Sequence, residues 1–259
     1  MKTTIGWIGA ALLLALATAA ASADEAKTKA AAKAALAKYQ DAVITVKLVL
    51  KNRGGGGKSE SQVEVAGTVL SPAGLTLVSD FSSNPMSIVP ELGADKIETT
   101  DVKLLLKNGR EIPAKFVLRD KDLDLAFVLP QEQGLNLTHV SLTKGPVPEP
   151  LDDLVFVYRM GKAMNREAGV AMGHVESVVK KPRTFVVPDL LTGLHSLGCP
   201  VFDATGRAVG VVVIRRSPAA LKDIGSVRDV LEVLKPVVLT AEDIQQAASQ
   251  VDKPKEEPK

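Results

Sequence analysis

The amino-acid sequence predicts an all-β fold made of two successive sets of short strands. Segments such as AVITVKLVLK, which begins at Ala42, alternate in polarity and are rich in β-branched residues, as half-buried strands are. Turn residues separate such segments at short intervals, and no long helical pattern alternates with them. A Pro-rich stretch over residues 144–150 divides the strands into two sets. These three observations favour a sandwich or a barrel in each half of the chain.

The first set is expected over residues 42–143. Its predicted strands are AVITVKLVLK, QVEVAGTVL, LTLV, the two arms of a hairpin in VKLLLKNGREIPAKFVLRD, and DLDLAFVL. The polar loop at residues 53–58 and the turn sequence SPAG at residues 71–74 separate the first three strands. Asn108-Gly109 is expected at the hairpin turn, because this pair tolerates a positive φ best.

The second set is expected over residues 151–240, after the linker. Its predicted strands are LVFVYRM, GVAMGHVESVV, TFVVP, CPVFD and AVGVVVIRR. The segment Asp203–Arg207 predicts a hairpin turn between the last two strands, and Ser226–Leu234 has the apolar spacing of a closing helix. Residues 241–259 are too poor in apolar side chains to fold alone, so we expect a disordered polar tail.

Residues 1–23 have the features of a signal peptide. Lys2 supplies the positive charge, an apolar run containing LLLAL follows, and Ala21-Ser22-Ala23 fits the small-x-small cleavage pattern. A permanent membrane anchor is the competing interpretation, but the apolar run is short against the about 20 residues that span a bilayer. We therefore expect an exported protein, periplasmic or secreted, with no stable membrane span after cleavage.

Residues 24–41 form an Ala/Lys-rich lead-in with no glycine or proline, which predicts a helix. Because this helix offers few large apolar side chains, we expect it to bury little and to act as a spacer. No internal repeat and no further folded module are expected, and in particular no peptide-binding domain of the PDZ type.

Composition excludes several classes of function. Removal of the signal leaves 31 basic and 30 acidic residues, without the basic cluster that a phosphate-binding surface needs. Nucleic acid is therefore an unexpected partner, and we expect neither a cofactor nor a metal. Cys199 is the single cysteine, so no intrachain disulfide can form.

Four segments follow one another in the order and spacing typical of one protease family. They are GTVLSPAGLTLVSDFSS, KLLLKNGREIPAKFVLRDKDLDLAFVL, VYRMGKAMNREAGVAMGHVESV and PDLLTGLHSLGCPVFDATGRAVGVVV. Together they resemble the trypsin-like serine proteases of the HtrA/Deg type, over about residues 42–216. The resemblance implies a double six-stranded β-barrel of the chymotrypsin type.

The resemblance also implies positions for a catalytic triad, and two of them hold unsuitable residues. The acid position falls on Asp124, in a segment that resembles D-x-x-x-D-[IL]-A-[LV]. The base position falls on Phe81, which cannot accept a proton. Counted from Asp189 on one side and from PVFD on the other, the nucleophile position falls on Leu197. Without a base, Asp124 is better interpreted as a structural carboxylate that caps backbone N–H groups.

Two substitute nucleophiles remain as an alternative. Ser196 could act after a shift of one residue, and Cys199 could act as a thiolate, each with His195 or His174 as its base. Asp189 and PVFD both match the family's spacing without a gap, so a shift to Ser196 needs a compensating shift between them. His195 is the immediate neighbour of Ser196, a spacing that does not place the two side chains face to face in an extended chain. His195 also replaces a glycine that lines the family's oxyanion hole.

The sequence therefore predicts a degenerate protease homologue that binds or scaffolds an extended peptide or an envelope protein. The alternative is an active serine or cysteine endopeptidase that uses Ser196 or Cys199. A third possibility is a structural domain whose loops, especially Gly54–Gly57, serve an unrelated partner. The sequence indicates neither the ligand nor the oligomeric state.

Overall fold

Two closed six-stranded antiparallel barrels follow one another along the chain in the computed structural model, which describes residues 25–52, 59–84, 97–189, 196–215 and 234–251. A helix over residues 25–39 (α1) precedes the barrels, a single helical turn, Asp80–Ser83 (α2), lies within the first barrel, and the helix Ala241–Ala248 (α3) follows the second. The predicted fold class is confirmed. The signal segment, the Gly54–Gly57 loop and His195 lie outside the described residues.

The first barrel has the strand order β1-β2-β3-β6-β5-β4. Its strands are β1 Val43–Asn52, β2 Ser59–Val69, β3 Thr76–Ser79, β4 Ile97–Leu105, β5 Glu111–Asp120 and β6 Leu125–Pro130. The β4–β5 hairpin turns at the predicted place, where Gly109 adopts a φ of 81°. Alternate side chains such as Ile44, Val46 and Leu48 point inward and are almost completely buried, as the period of two in a strand requires.

The second barrel repeats this arrangement, with the order β10-β11-β12-β9-β8-β7. Its strands are β7 Asp153–Arg159, β8 Ala168–Val179, β9 Phe185–Pro188, β10 Pro200–Asp203, β11 Ala208–Arg215 and β12 Lys235–Thr240. The β10–β11 turn forms where predicted, because the Asp203 carboxylate accepts hydrogen bonds from the N–H groups of Thr205 and Arg207.

The N-terminal helix α1 is packed, and its expected role as a spacer was wrong. Ala32 and Ala35 are each only 5% exposed and belong to an apolar cluster that includes side chains of both barrels. The ring of Tyr39 stacks on that of Phe202 with centroids 4.6 Å apart. Because alanine allows a helix to approach a sheet closely, a helix of small side chains can still bury a continuous stripe.

The C-terminal part of the described chain also corrects the sequence interpretation. Strand β12 was not predicted, and residues 241–248 form helix α3 in place of the start of a disordered tail. Thr240 caps this helix by accepting a hydrogen bond from the Asp243 N–H, and Ile244 is completely buried. The expected closing helix at 226–234 lies outside the described residues except for Leu234.

The Pro-rich linker lies against the second barrel. Arg207 donates a hydrogen bond to the carbonyl of Pro146, and Lys144 forms an ion pair with Glu242 of α3. Just before the linker, Val140 is fully buried and its N–H pairs with the carbonyl of Val69. Among the described residues, no helix is long and apolar enough to cross a membrane.

Candidate functional site

Phe81 lies two residues after Ser79, the last residue of β3, and its side chain packs against the second barrel. It lies on a single helical turn, Asp80–Ser83 (α2), which begins because the Ser79 hydroxyl accepts a hydrogen bond from the Ser82 N–H. Its side chain is 8% exposed and belongs to an apolar cluster whose other described members all come from the second barrel. Phe81 therefore stabilises the packing of the first barrel against the second through apolar contacts.

Asp124 lies directly beneath the backbone of Phe81. One carboxylate oxygen accepts a hydrogen bond of 2.7 Å from the Phe81 N–H. The other oxygen accepts bonds of 2.7 Å from the Ser79 hydroxyl and 2.8 Å from the N–H of Ile214 on β11. The residue is completely buried and has a φ of 58°, which aspartate tolerates better than most side chains. The carboxylate thus links β3, α2 and the second barrel.

Leu197 lies in a tight loop that is wedged against the first barrel. The Cys199 N–H bonds to the Ser196 carbonyl across this loop, and the Thr68 hydroxyl donates to the Gly198 carbonyl at 2.7 Å. Gly198 has a φ of 81°, and a Cβ there would lie 2.6 Å from the carbonyl oxygen of Ala66. Only glycine fits that position without strain, so the register of the loop is fixed at the residue that follows Leu197.

Phe81 and Leu197 come together at the base of one groove. Both belong to the same apolar cluster, and both line a groove of about 340 Å³ between the two barrels. Leu197 is only 1% exposed, so the two side chains form a floor and leave the groove open above them. The remaining lining residues are Thr45, Val63, Glu64, Val65, Ala66, Ser82, Arg159, Met160 and Gly161.

The family model described as the trypsin-like peptidase domain matches residues 39–211, more than half of the chain. The chain belongs to this family. A comparison with curated proteins returned no match. The match extends from the end of α1 into β11 and therefore includes Phe81, Asp124 and Leu197.

Other trypsin-like peptidase domains use a nucleophile that a base activates, and the two substitute nucleophiles are poorly placed here. Burial raises the pKa of the Cys199 thiol to about 12, so a thiolate does not form near neutral pH. Ser196 is completely buried as well. The structure brings both next to Leu197 in the same loop.

The ring of His174 contacts two carboxylates, those of Asp189 and Asp153. Its Nδ1 lies 2.9 Å from a carboxylate oxygen of Asp189, and its Nε2 lies 3.4 Å from one of Asp153. The hydrogen bond to Asp189 raises the pKa of the His174 imidazole, and the charge of Asp153 adds to this effect. Both ring nitrogens thus face carboxylates.

A second carboxylate near the site is neutralised by an ion pair. Asp80, whose side chain is 2% exposed, lies 2.6 Å from the guanidinium of Arg119. The same guanidinium donates to the Ser83 hydroxyl and lies 3.7 Å above the ring of Phe116. Because it is paired and buried, Asp80 has a structural role beneath α2.

An ion pair between the barrels borders the groove. Arg166 donates two hydrogen bonds to the carboxylate of Glu64, at 2.7 and 2.8 Å. This bidentate contact lowers the pKa of Glu64 and raises that of Arg166. Arg159, at the end of β7, donates to the carbonyls of Gln40 and Val43 as well as Arg166. These arginines hold the β7–β8 loop against β1 and β2.

Sequence reasoning did not single out the groove residues on β1, β2 and the β7–β8 loop. The alternation in QVEVAGTVL placed Val63 and Val65 on one face of β2, and this was the available signal. The approach of Met160 to that face is a long-range contact without a local pattern. A larger groove of about 600 Å³, near Lys107 and Arg159, contains none of the predicted site residues. The described residues contain no group of His, Cys, Asp or Glu that could hold a metal ion.

Proposed function

We propose that this member of the trypsin-like peptidase family is a catalytically inactive homologue that holds an extended peptide or protein segment. The observation that carries the proposal is the contact between Asp124 and the backbone of Phe81. Phe81, whose backbone N–H bonds to Asp124, carries a ring without a nitrogen, so this carboxylate has no imidazole to orient at that position.

The nucleophile position supports the same conclusion. The loop that carries Leu197 is fixed by the close approach of Gly198 to β2, and a one-residue shift to Ser196 would break this fit. A leucine side chain has no atom that can attack a carbonyl carbon. The chemistry of the family needs both a base and a nucleophile, and the matching positions hold two apolar side chains from the same cluster.

The free edge of β2 supports the binding role. β2 pairs with β1 over its whole length but with β3 only from Gly67 to Val69. Among the described residues, the outer edge of Ser59–Ala66 therefore has no strand partner. This edge borders the groove above Phe81 and Leu197. An extended peptide can add to such an edge through backbone hydrogen bonds while a side chain enters the adjacent pocket.

A labelling experiment tests the absence of catalysis against the alternative endopeptidase. The native protein is treated with a fluorophosphonate probe and, separately, with iodoacetamide, beside Ser196→Ala and Cys199→Ala variants. We expect no fluorophosphonate adduct and only slow alkylation of the native protein. An adduct that disappears in Ser196→Ala, or rapid alkylation that disappears in Cys199→Ala, would contradict the proposal.

A peptide titration tests the binding role. Extended peptides with one large apolar side chain are titrated by calorimetry or fluorescence anisotropy, together with copies that carry N-methyl groups on alternate backbone nitrogens. We expect the N-methylated copies to bind at least about tenfold more weakly, since each blocked nitrogen removes a strand-pairing donor. Equal binding of both sets, or no binding of any extended peptide or envelope protein, would count against the proposal.

Two matched variants place the binding at the groove. Gly161 lines the groove and has a φ of −72°, and a Cβ added to it would meet no atom within 4 Å beyond its chain neighbours. Gly161→Phe therefore partly fills the groove without strain and is expected to weaken binding. Lys162→Phe adds the same ring one residue away, outside the groove lining, and is expected to bind as the unchanged protein does.

The proposal includes export and a relationship to the HtrA/Deg type, both supported by sequence features alone. Cleavage after Ala23 gives a mature chain that begins at Asp24. Mass spectrometry of the N-terminal peptide from the native source is the measurement. An unprocessed N-terminus in a cytoplasmic fraction would contradict export.

A further inference from the structure

His174 lies on β8 between two carboxylates that belong to the neighbouring strands. Its backbone N–H and its ring Nδ1 both bond to the carboxylate of Asp189, which directly follows β9, at 2.7 and 2.9 Å. Its Nε2 faces the carboxylate of Asp153 on β7 at 3.4 Å. The side chain of His174 is 56% exposed, so the ring can exchange protons with solvent directly.

Asp153 also contacts the N-terminal helix. Its second carboxylate oxygen accepts a 2.5 Å hydrogen bond from the hydroxyl of Thr28 on α1. Thr28 is 3% exposed, and the same face of α1 continues through Ala32 and Ala35 into the apolar cluster. Asp153 is therefore a polar anchor of the helix, and His174 is a direct neighbour of that anchor.

The protonation state of His174 decides how many of these contacts are satisfied. An imidazolium donates from both ring nitrogens, so it can bond to Asp189 and Asp153 at the same time. A neutral imidazole donates from one nitrogen only, and its other nitrogen then directs a lone pair at a carboxylate. Loss of the proton to solvent thus replaces one attractive contact by a repulsive one.

We propose that His174 is a proton-operated clasp, which holds Asp189 and Asp153 when both ring nitrogens are protonated and thereby stabilises the docking of α1 on the second barrel. The clasp goes beyond the proposed function and does not depend on it. Among the described residues, the charged groups that act on the ring are Asp153 from β7 and Asp189 after β9, and Glu176 lies two residues further along β8. On α1, the neutral side chain of Thr28 contacts Asp153. The charged residues Glu25 and Lys29 of the same helix form an ion pair with each other.

The directions in which the pKa values of His174 and Asp189 are shifted define the pH range over which the clasp is closed. The bond to Asp189 raises the pKa of His174, so its contribution is complete below the ordinary histidine value and is lost as the pH rises through the raised pKa. The backbone N–H of His174 lowers the pKa of Asp189, so that contribution is lost as the pH falls through the lowered value. The clasp is closed below the ordinary pKa of histidine and opens as the pH rises through the raised pKa of His174.

Hydrogen exchange of the full-length mature chain tests the clasp. Amide protection of residues 25–39 is measured between about pH 5.5 and about pH 8.5, on both sides of the ordinary histidine pKa, and corrected for intrinsic exchange. Protection of α1 is expected to fall by about two- to fivefold over this range, the size typical of an exposed charge pair. Amides of β5 in the first barrel serve as the internal reference.

Three variants test whether the pH dependence of amide protection in α1 arises from His174. His174→Gln keeps a polar side chain that does not titrate, and Asp153→Asn removes the charge next to Thr28; both are expected to abolish the pH dependence of α1. His139→Gln removes another described histidine, whose ring lies 3.4 Å from the Leu137 carbonyl, and is expected to leave it unchanged. A pH-independent α1 in the unchanged protein, or the same dependence in His174→Gln, would overturn the clasp.

Discussion

Replacement of Asp124 by alanine leaves a buried hydroxyl and two buried N–H groups without their acceptor. The donors are Ser79, Phe81 and Ile214, at 2.7, 2.7 and 2.8 Å. The serine hydroxyl can rotate toward another acceptor, but the two backbone N–H groups cannot. Each unsatisfied buried donor costs about 1–3 kcal/mol, so we expect Asp124→Ala to lower the free energy of unfolding by about 3–5 kcal/mol.

Urea denaturation followed by circular dichroism measures this loss, and thermal unfolding supplies a second estimate. In a protein of this size a loss of 1 kcal/mol lowers the Tm by about 2–4 °C, so the expected decrease is roughly 10 °C. Asp124→Asn keeps one oxygen acceptor but turns an NH2 group toward the other donors, and is expected to lose about 1–3 kcal/mol.

Asp122→Ala is the matched control, because this aspartate is two residues away and exposed. It is expected to change stability by less than about 0.5 kcal/mol, as surface substitutions usually do. If Asp124→Ala were no more destabilising than Asp122→Ala, the carboxylate would not link the two barrels and the account of the site's geometry would be wrong.

Three further predictions follow from other contacts. Gly198→Ala is expected to cost about 2–4 kcal/mol in urea denaturation, because its φ is 81° and the added carbon would lie 2.6 Å from the Ala66 carbonyl; a neutral effect would contradict the wedged loop. Tyr39→Ala removes the stack on Phe202. We expect it to lower the free energy of unfolding by about 1–3 kcal/mol and to speed hydrogen exchange in α1. Unchanged exchange in α1 would show that the helix does not dock through this pair. Burial raises the pKa of Cys199 to about 12 from 9.0. The contribution of this thiol to the free energy of unfolding is therefore complete below about pH 9 and is lost as the pH rises toward 12. Cys199→Ser is expected to lose this part of the pH dependence of stability, and a variant that kept it would contradict the assignment to Cys199.

The strand pattern was predictable from sequence because it depends on local signals. The β4–β5 hairpin turns at Asn108-Gly109 and the β10–β11 hairpin at Asp203–Arg207, where glycine and aspartate supply the required backbone geometry. β12 was missed because KPVVLT is short and begins with a lysine and a proline. Helix α3 was missed because its buried stripe consists of little more than Ile244 and two alanines.

The candidate site was predictable only in part, because its contacts join distant segments. Alignment to the family's loops indicated Phe81, Asp124 and Leu197, and the structure brings Phe81 into contact with Asp124 and into one cluster with Leu197. No local pattern could show that Ile214 donates to Asp124 across 90 residues. The partners of His174 were equally hidden, because they depend on the register of three strands.

Peptide cleavage tests the central claim most directly. The purified protein is incubated with denatured casein and with a peptide library of mixed sequence, and new termini are counted by mass spectrometry against a protein-free blank. We expect no new termini above the blank at any pH from mildly acidic to mildly alkaline. A reproducible set of new termini that disappears in Ser196→Ala or Cys199→Ala would contradict the proposal that this trypsin-like domain is catalytically inactive.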